Sequence, residues 1–185
     1  MIWKSHPWKK SLERLAKDFR KRQLQRRWGE ASLAKVEQNF FIAAFSIRKL
    51  SEGQKLSDEI EAMSLPIVSF KPTARNADLL NWHKLDMLYY LDAPKSARLG
   101  LRAFCNQAIH SFIFVPKCDP CLSGFYFSSD QSRHFSLYYL SVDALIETIE
   151  RVATDDVLSV QIQRDPVTGE LSVAQKSNKV PPRSN

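Results

Sequence analysis

The sequence has little glycine, few cysteines and no long apolar segment, and each shortage excludes a class of function. Five glycines in 185 residues form no Gly-rich phosphate-binding loop of the Rossmann or Walker type. Three cysteines are an odd number, which is a poor disulfide framework for a secreted domain. No apolar run approaches the roughly 20 residues that cross a bilayer, and no secretory signal pattern opens the chain. We therefore expect a cytoplasmic protein without a membrane partner.

The motifs of common hydrolases and metalloenzymes are also missing. The sequence contains no GxSxG elbow and no HExxH pair. Cys118 and Cys121 form one CxxC pair, the spacing that zinc sites use, but no second pair of ligands accompanies it. We predict no metal site and no cofactor. The alternatives are a zinc site completed by Cys105 with a histidine, and a redox pair, which would need a βαβ context.

What the sequence does contain is typical of a globular domain. Apolar residues make up 44% and charged residues 25%, and the length fits one domain. Helical periodicity dominates the N-terminal part, whereas alternating patterns dominate the C-terminal third. We therefore predict an α+β fold with a helical N-terminal core and a small antiparallel β part in the C-terminal third. The predicted domain covers residues 1–175, and residues 176–185 form a disordered tail.

Apolar spacing, caps and turn residues predict the individual elements. Asn76, Ser96 and Ser141 are expected to cap the last three predicted helices. Pro66 and Pro72 confine a short strand over 65–70 to an edge or a loop. The predicted helices cover about 7–28, 32–50, 77–91, 97–112 and 142–153. The predicted strands cover 124–128 and 134–140, followed by a hairpin of 157–163 and 170–173.

The positive charge is concentrated at the N-terminus. Residues 1–30 carry ten Lys or Arg against three Asp or Glu, so they hold the whole net charge of +7. This asymmetry favours a polyanionic partner, and we predict contacts with RNA or DNA. Trp3, Trp8 and Trp28 flank the basic run and could stack on bases. The alternative is a solvated amphipathic helix. The predicted nucleic-acid contacts are Lys17, Arg20, Lys21, Arg22, Arg26 and Arg27.

Other charged residues fit structural roles. Asp155 and Asp156 are adjacent near the end of a predicted helix and are expected to be caps or solvated charges. Glu37 and Arg48 lie on the flank of the apolar second helix, where we expect ion pairs with other helices. None of these four residues has the spacing of an opposed catalytic pair.

Three polar residues of the fourth predicted helix form a candidate catalytic row. Arg102, Asn106 and His110 are spaced i, i+4 and i+8, and each step drifts only 40° around a helix. A guanidinium, an amide and an imidazole in a row could bind a phosphodiester and transfer a proton at neutral pH. The apolar residues of the same helix, such as Phe104 and Cys105, lie on the opposite side.

This Arg-to-His helix resembles the HEPN ribonucleases. The resemblance implies metal-independent RNA cleavage at a dimer interface, with Arg102, Asn106 and His110 as catalytic residues. Seven residues separate Arg102 from His110 here, against four to six in the family, and Ala103 stands where a polar residue often follows the Arg. The resulting distance of about 12 Å along the axis means that a dimer would have to bring the Arg of one chain to the His of the other.

A broader resemblance implies a source but no activity. Residues 105–112, Ser129-Asp130 and residues 138–141 are similar to a run found in uncharacterised bacterial proteins. Two functions therefore stay open. The first is a nucleic-acid-associated bacterial protein, with ribonuclease activity as one option. The alternative is a non-catalytic component that binds a protein partner or a second copy of itself.

Overall fold

A five-stranded antiparallel sheet carries helices on one face in the computed structural model, which describes residues 2–179. The strand order in this sheet is β2-β1-β5-β4-β3, and a separate hairpin pairs β6 with β7. The helices are α1 (His6–Arg22), α2 (Glu30–Glu52), α3 (Asp58–Glu61), α4 (Leu85–Leu88), α5 (Leu101–Ile109) and α6 (Val142–Thr154). The strands are β1 (Ser64–Phe70), β2 (Lys95–Gly100), β3 (Ser111–Cys118), β4 (Leu122–Ser129), β5 (Leu137–Ser141), β6 (Ser159–Arg164) and β7 (Leu171–Ser177).

The main core lies between the sheet and the layer formed by α1, α2, α5 and α6. Its centre is Phe40 of α2, whose ring contacts Phe104 of α5 and three aromatic rings of the sheet, those of Phe114, Phe125 and Phe127. These side chains are buried because α2 is apolar over a wide face and the inward positions of β4 alternate with period two. Aromatic contacts of this kind add to the burial of apolar area.

The second face of the sheet is only partly covered. The segment 72–94 lays Leu85, Leu88 and Tyr89 over Phe70 and Leu137 of the sheet. Tyr89 is held in place because its hydroxyl donates to the carbonyl of Arg133 at 2.7 Å. Burial raises the pKa of Tyr89 to about 12. This face therefore has a small core of its own.

The hairpin β6–β7 stands outside the five-stranded sheet. Its turn contains Gly169 at φ +73°, a conformation that favours glycine, and Asp165 accepts backbone hydrogen bonds from Val167 and Thr168. At the other end, Lys176 is buried and forms an ion pair of 2.6 Å with Glu61 of α3. The hairpin therefore rests on α3 at its base.

The α+β class is confirmed, and several predicted elements are also confirmed. Helices α2 and α6, strands β4 and β5, and the terminal hairpin form close to the predicted positions. Ser141 caps α6 as predicted, because its hydroxyl accepts a hydrogen bond from the backbone N–H of Ala144 at 3.2 Å. No helix within residues 2–179 is both long enough and apolar enough to cross a bilayer.

The predicted helix over 7–28 ends at Arg22 instead, because its apolar stripe stops at Phe19. The predicted strand over 65–70 forms as β1, but the prediction of an edge strand or a loop is wrong, since β1 lies between β2 and β5. Pro66 is tolerated there because β5 pairs only with residues 68–70 of β1.

The predicted helix over 77–91 is wrong. Asp78 instead closes a turn, since its carboxylate accepts from the N–H groups of Leu80 and Asn81. An Asp side chain that bonds backbone groups two or three residues ahead competes with helix formation. Only the single turn of α4 is helical in this segment.

The predicted helix over 97–112 and the predicted tail also need correction. Residues 95–100 are β2, whose alternation places Ala97 and Leu99 toward the main core, and α5 begins only at Leu101. The aromatic and β-branched run after His110 is β3, so the sheet is larger than a part confined to the C-terminal third. Lys176 and Ser177 belong to β7 and not to a disordered tail, and residues 180–185 lie outside the described residues.

Candidate functional site

Four cations form one line along the solvent side of α1. Lys10, Arg14, Lys17 and Lys21 are spaced so that all lie within about 40° of Lys10 at 100° per residue. The buried residues Leu12 and Phe19 fall on the opposite side of the helix. We call these four residues the basic stripe. It extends about 16 Å along the helix at 1.5 Å per residue.

The basic stripe is free to meet a ligand. Its four side chains are exposed and form no ion pair or side-chain hydrogen bond within residues 2–179. The acids of α1 are Glu13, which is exposed beside the stripe, and Asp18, which bonds Asn39 at 2.7 Å and Arg22 at 3.5 Å. The charge of the stripe is therefore not neutralised inside the protein.

The other predicted nucleic-acid contacts divide into two groups. Arg20 forms an ion pair with Glu150 of α6, and its Nη2 lies 2.6 Å from each carboxylate oxygen. This hydrogen-bonded pair raises the pKa of Arg20. Arg22 is committed to Asp18 and donates to Gln25 at 2.7 Å. Arg26 and Arg27 lie in the connection after α1 and are exposed. Only the second group can extend the basic stripe.

Two of the three flanking tryptophans have structural roles. Trp8 packs on Phe45 with ring centroids 6.3 Å apart. The indole N–H of Trp28 donates to the carbonyl of Pro120 at 2.8 Å, which ties the connection after α1 to the β3–β4 turn. Trp3 is 88% exposed and is the one of the three whose ring could stack on a base.

A polar cleft lies between α2, α5 and the end of β4. Its volume is about 580 Å³, and both Asn106 and His110 line it. The other lining residues are Arg48, Ala103, Gln107, Ser129, Asp130 and Gln131. His110 is the residue that follows α5, and its backbone carbonyl accepts the N–H of Asp130 at 3.1 Å. The cleft thus joins the end of a helix to the end of a strand.

Arg48 supplies the guanidinium in this cleft. Its Nη1 donates to Asn106 Oδ1 at 2.6 Å, and its Nε donates to Glu52 at 2.7 Å. Hydrogen bonds from Lys49 and then from Arg48 lower the pKa of Glu52 to about 2, so this carboxylate stays ionised at neutral pH. The predicted ion pairs with other helices are therefore wrong. Arg48 forms its ion pair with Glu52 of its own helix, and Glu37 is exposed and forms no ion pair in the part of the chain that the structure describes.

Gln107 braces the opposite wall of the cleft. Its amide oxygen accepts the backbone N–H of Ser129 at 3.0 Å, and its amide nitrogen donates to Ser132 at 2.7 Å. These two bonds connect α5 to β4 and to the turn that follows it. Hydrogen bonds of Arg48 and Gln107 therefore connect the walls of the cleft, whereas Asn106 and His110 are exposed.

Arg102 does not share this cleft. It lines a second, small cavity with Glu61 and Cys105, and Arg48 lines both this cavity and the polar cleft. The structure therefore brings Asn106 and His110 of the predicted row together in one cleft with Arg48, and leaves Arg102 outside it. Sequence reasoning missed Arg48 because its partner Asn106 is 58 positions away, and no local spacing connects the two.

Burial affects two of the three cysteines, Cys105 and Cys118. Burial, followed by the nearby Cys121, raises the pKa of Cys118 to about 11, and burial raises the pKa of Cys105 to about 12. Both thiols therefore favour the protonated form at neutral pH. No group of three or more His, Cys, Asp or Glu side chains in the part of the chain that the structure describes could hold a metal ion.

Comparison with known proteins gives no family for this chain. No protein-family model, no curated protein and no solved structure matches it. The basic stripe and the polar cleft are therefore interpreted from their own chemistry.

Proposed function

We propose that the protein binds nucleic acid through the basic stripe of α1. The observation that carries the proposal is a line of four exposed cations without acidic partners in residues 2–179, opposite the buried face of the same helix. Residues 31–185 balance to zero charge, so this end of the molecule is the source of its positive field. Arg26 and Arg27 extend the surface beyond the end of α1.

The physical basis of such binding is the release of counterions. Each phosphate that a cation neutralises contributes roughly −0.7 to −0.9 to the slope of log affinity against log salt concentration. A stripe of four cations therefore predicts a slope of about −3 to −4. The contact is to phosphates, so it carries little sequence preference.

The test is binding of a labelled oligonucleotide at several salt concentrations, read by fluorescence anisotropy. The variant changes Lys10, Arg14, Lys17 and Lys21 to Gln. We expect it to lose most of the slope, and with it at least tenfold in affinity at low salt. Single-stranded RNA and double-stranded DNA should both be measured.

A matched control removes the same charge elsewhere. Lys71, Arg75, Lys84 and Lys95 are exposed, and they also comprise three lysines and one arginine. Their replacement by Gln should leave the slope within about one unit of the wild-type value. If both variants lost the same amount of slope, net charge and not the basic stripe would explain the binding. A wild-type affinity that does not depend on salt concentration would refute the proposal.

We propose RNA cleavage in the polar cleft as a second candidate activity. The observation that favours it is the shared cleft of Arg48, Asn106 and His110. Imidazole transfers protons near neutral pH, so His110 would be the general acid or base. Arg48 would exchange its hydrogen bond to Asn106 for the scissile phosphate and offset the charge that develops there, while its Nε stays paired with Glu52. In this form of the ribonuclease hypothesis, Arg102 is not needed.

The cleavage assay distinguishes the two arginines. Without added metal, His110→Ala and Arg48→Ala should each lower the rate of RNA cleavage about 100-fold or more. Arg102→Ala should retain the rate, because Arg102 lines another cavity. If Arg102→Ala instead abolished cleavage while Arg48→Ala did not, the arrangement implied by the HEPN resemblance would be favoured. RNA that wild-type protein leaves intact would eliminate the activity.

A further inference from the structure

The β6–β7 hairpin exposes an apolar face. The register pairs Ile162 with Val173 and Arg164 with Leu171, and directly opposed residues of an antiparallel pair lie on the same side. Val160, Ile162, Leu171 and Val173 therefore share one face, which we call the hairpin face. Their exposed fractions are 49%, 62%, 63% and 40%.

The opposite face of the hairpin is polar. Gln161, Gln163 and Ser172 occupy it, and all three are exposed. Beyond its base, where Lys176 pairs with Val160 and contacts α3, the hairpin is thus an amphipathic ribbon with both faces in solvent. Two-stranded hairpins are marginally stable in water without a third strand or a packing partner. An aliphatic face left in water on such a ribbon indicates that something packs against it.

We infer that a second copy of this chain covers the hairpin face in a two-fold symmetric dimer. The four aliphatic side chains, with the adjacent Leu158 at 57% exposure, present on the order of 400–500 Å² of apolar surface in each copy. Two such patches together bury at most about 800–1,000 Å², which is below the roughly 1,200 Å² of a stable specific interface and in the range of weak, transient contacts. We therefore expect a weak dimer that dissociates on dilution.

Charge on the hairpin face is compatible with self-association. A two-fold interface brings the same patch of both copies together, so a charged patch would repel itself. Arg164 is the one charged residue at the outer end of the face, and its Nη1 donates to the Gly169 carbonyl of its own turn at 2.8 Å. At the base, Lys176 is neutralised by Glu61. Two aliphatic layers can then pack about 10 Å apart, as stacked sheets do.

The inference does not depend on nucleic-acid binding, because the basic stripe and the hairpin face lie on different elements. The interface is also separate from α5, so it differs from a dimer that would unite Arg102 with His110. Its failure would leave both proposed functions standing.

The test is sedimentation equilibrium of the whole chain between about 1 and 100 µM. Ile162→Lys with Leu171→Lys places two charges on the hairpin face and should weaken the dimer at least tenfold. The matched control, Gln161→Lys with Gln163→Lys, adds the same charges to the opposite face and should change the Kd less than twofold. Thermal unfolding at low concentration checks that both variants are folded.

Three outcomes would overturn the inference. The first is a wild-type protein that stays monomeric at about 100 µM. The second is a dimer that the Ile162 and Leu171 substitutions leave intact, which would place the interface elsewhere. The third is equal weakening in the control variant, which would mean that strand edges and not the aliphatic side chains form the contact.

Discussion

At the scale of the residue, Asp155 is a buried charged side chain that the local sequence pattern does not predict. The side chain of this residue accepts hydrogen bonds from the backbone N–H and the hydroxyl of Ser57, both at 2.7 Å, and the residue is buried. Its backbone carbonyl also accepts from the ammonium of Lys9. The carboxylate thereby joins the end of α6 to the segment before α3. Of the two expected roles, a cap or a solvated charge, the second is wrong for Asp155, which is buried at the C-cap position of α6. Asp156 is exposed and forms an ion pair with Lys9 at 3.0 Å.

Replacement of Asp155 by Ala should lower the free energy of unfolding by roughly 2–4 kcal/mol, because it leaves two buried donors of Ser57 without an acceptor. Asp92→Ala is the matched control, since Asp92 is exposed and makes no side-chain hydrogen bond within residues 2–179. Its effect should stay within about 0.5 kcal/mol. Urea denaturation of both variants measures the difference. Similar losses in the two variants would contradict this account of Asp155.

At the scale of the element, the pairing of β4 with β5 depends on one residue without a side chain. Gly124 pairs with Ser141, and a Cβ at Gly124 would lie 2.5 Å from both the Leu140 carbonyl oxygen and the Tyr139 ring. The Tyr139 ring cannot easily move, because its hydroxyl donates to the Ser123 carbonyl at 3.0 Å. The close approach of these two strands therefore requires glycine.

Gly124→Ala should destabilise the protein by roughly 1–3 kcal/mol, as overpacking in a core does. For a chain of this length, that corresponds to a fall in Tm of about 3–10 °C. Gly100→Ala provides the comparison, because nothing lies within 4 Å of its Cβ position and its φ is −58°. Alanine at position 100 makes the unfolded chain less flexible, and the resulting gain in stability should offset any weakening of the N-cap of α5. Calorimetry that ranked Gly100→Ala as the more harmful change would exclude this explanation.

At the scale of the whole molecule, the three surfaces of interest are built from different elements. The basic stripe is on α1, the polar cleft is formed by α2, α5 and β4, and the hairpin face belongs to β6 and β7. Because positive charge is concentrated in residues 1–30, the molecule has an electrically asymmetric surface that would orient a polyanion toward α1. Each proposal can therefore be tested with substitutions that leave the other two surfaces unchanged.

The sequence by itself determined the elements whose signals are local. Helices α1, α2 and α6 have apolar residues at helical spacing, Ser141 supplies an oxygen at a helix start, and Gly169 supplies the turn of the hairpin. These signals depend on residues within a few positions of one another, so they are visible without a fold. The α+β class and the clustering of charge on α1 follow from them.

The tertiary structure decided those strands and side-chain contacts that form between residues far apart in the sequence. Residues 95–100 become a strand because β1 offers them an antiparallel partner, and residues 111–118 become one because β4 does. Arg48 meets Asn106, and Asp155 meets Ser57, only after helices from separate parts of the chain have packed together. Pairings across 58 or 98 positions leave no periodic trace in a sequence, because the physical constraint acts between surfaces and not along the backbone.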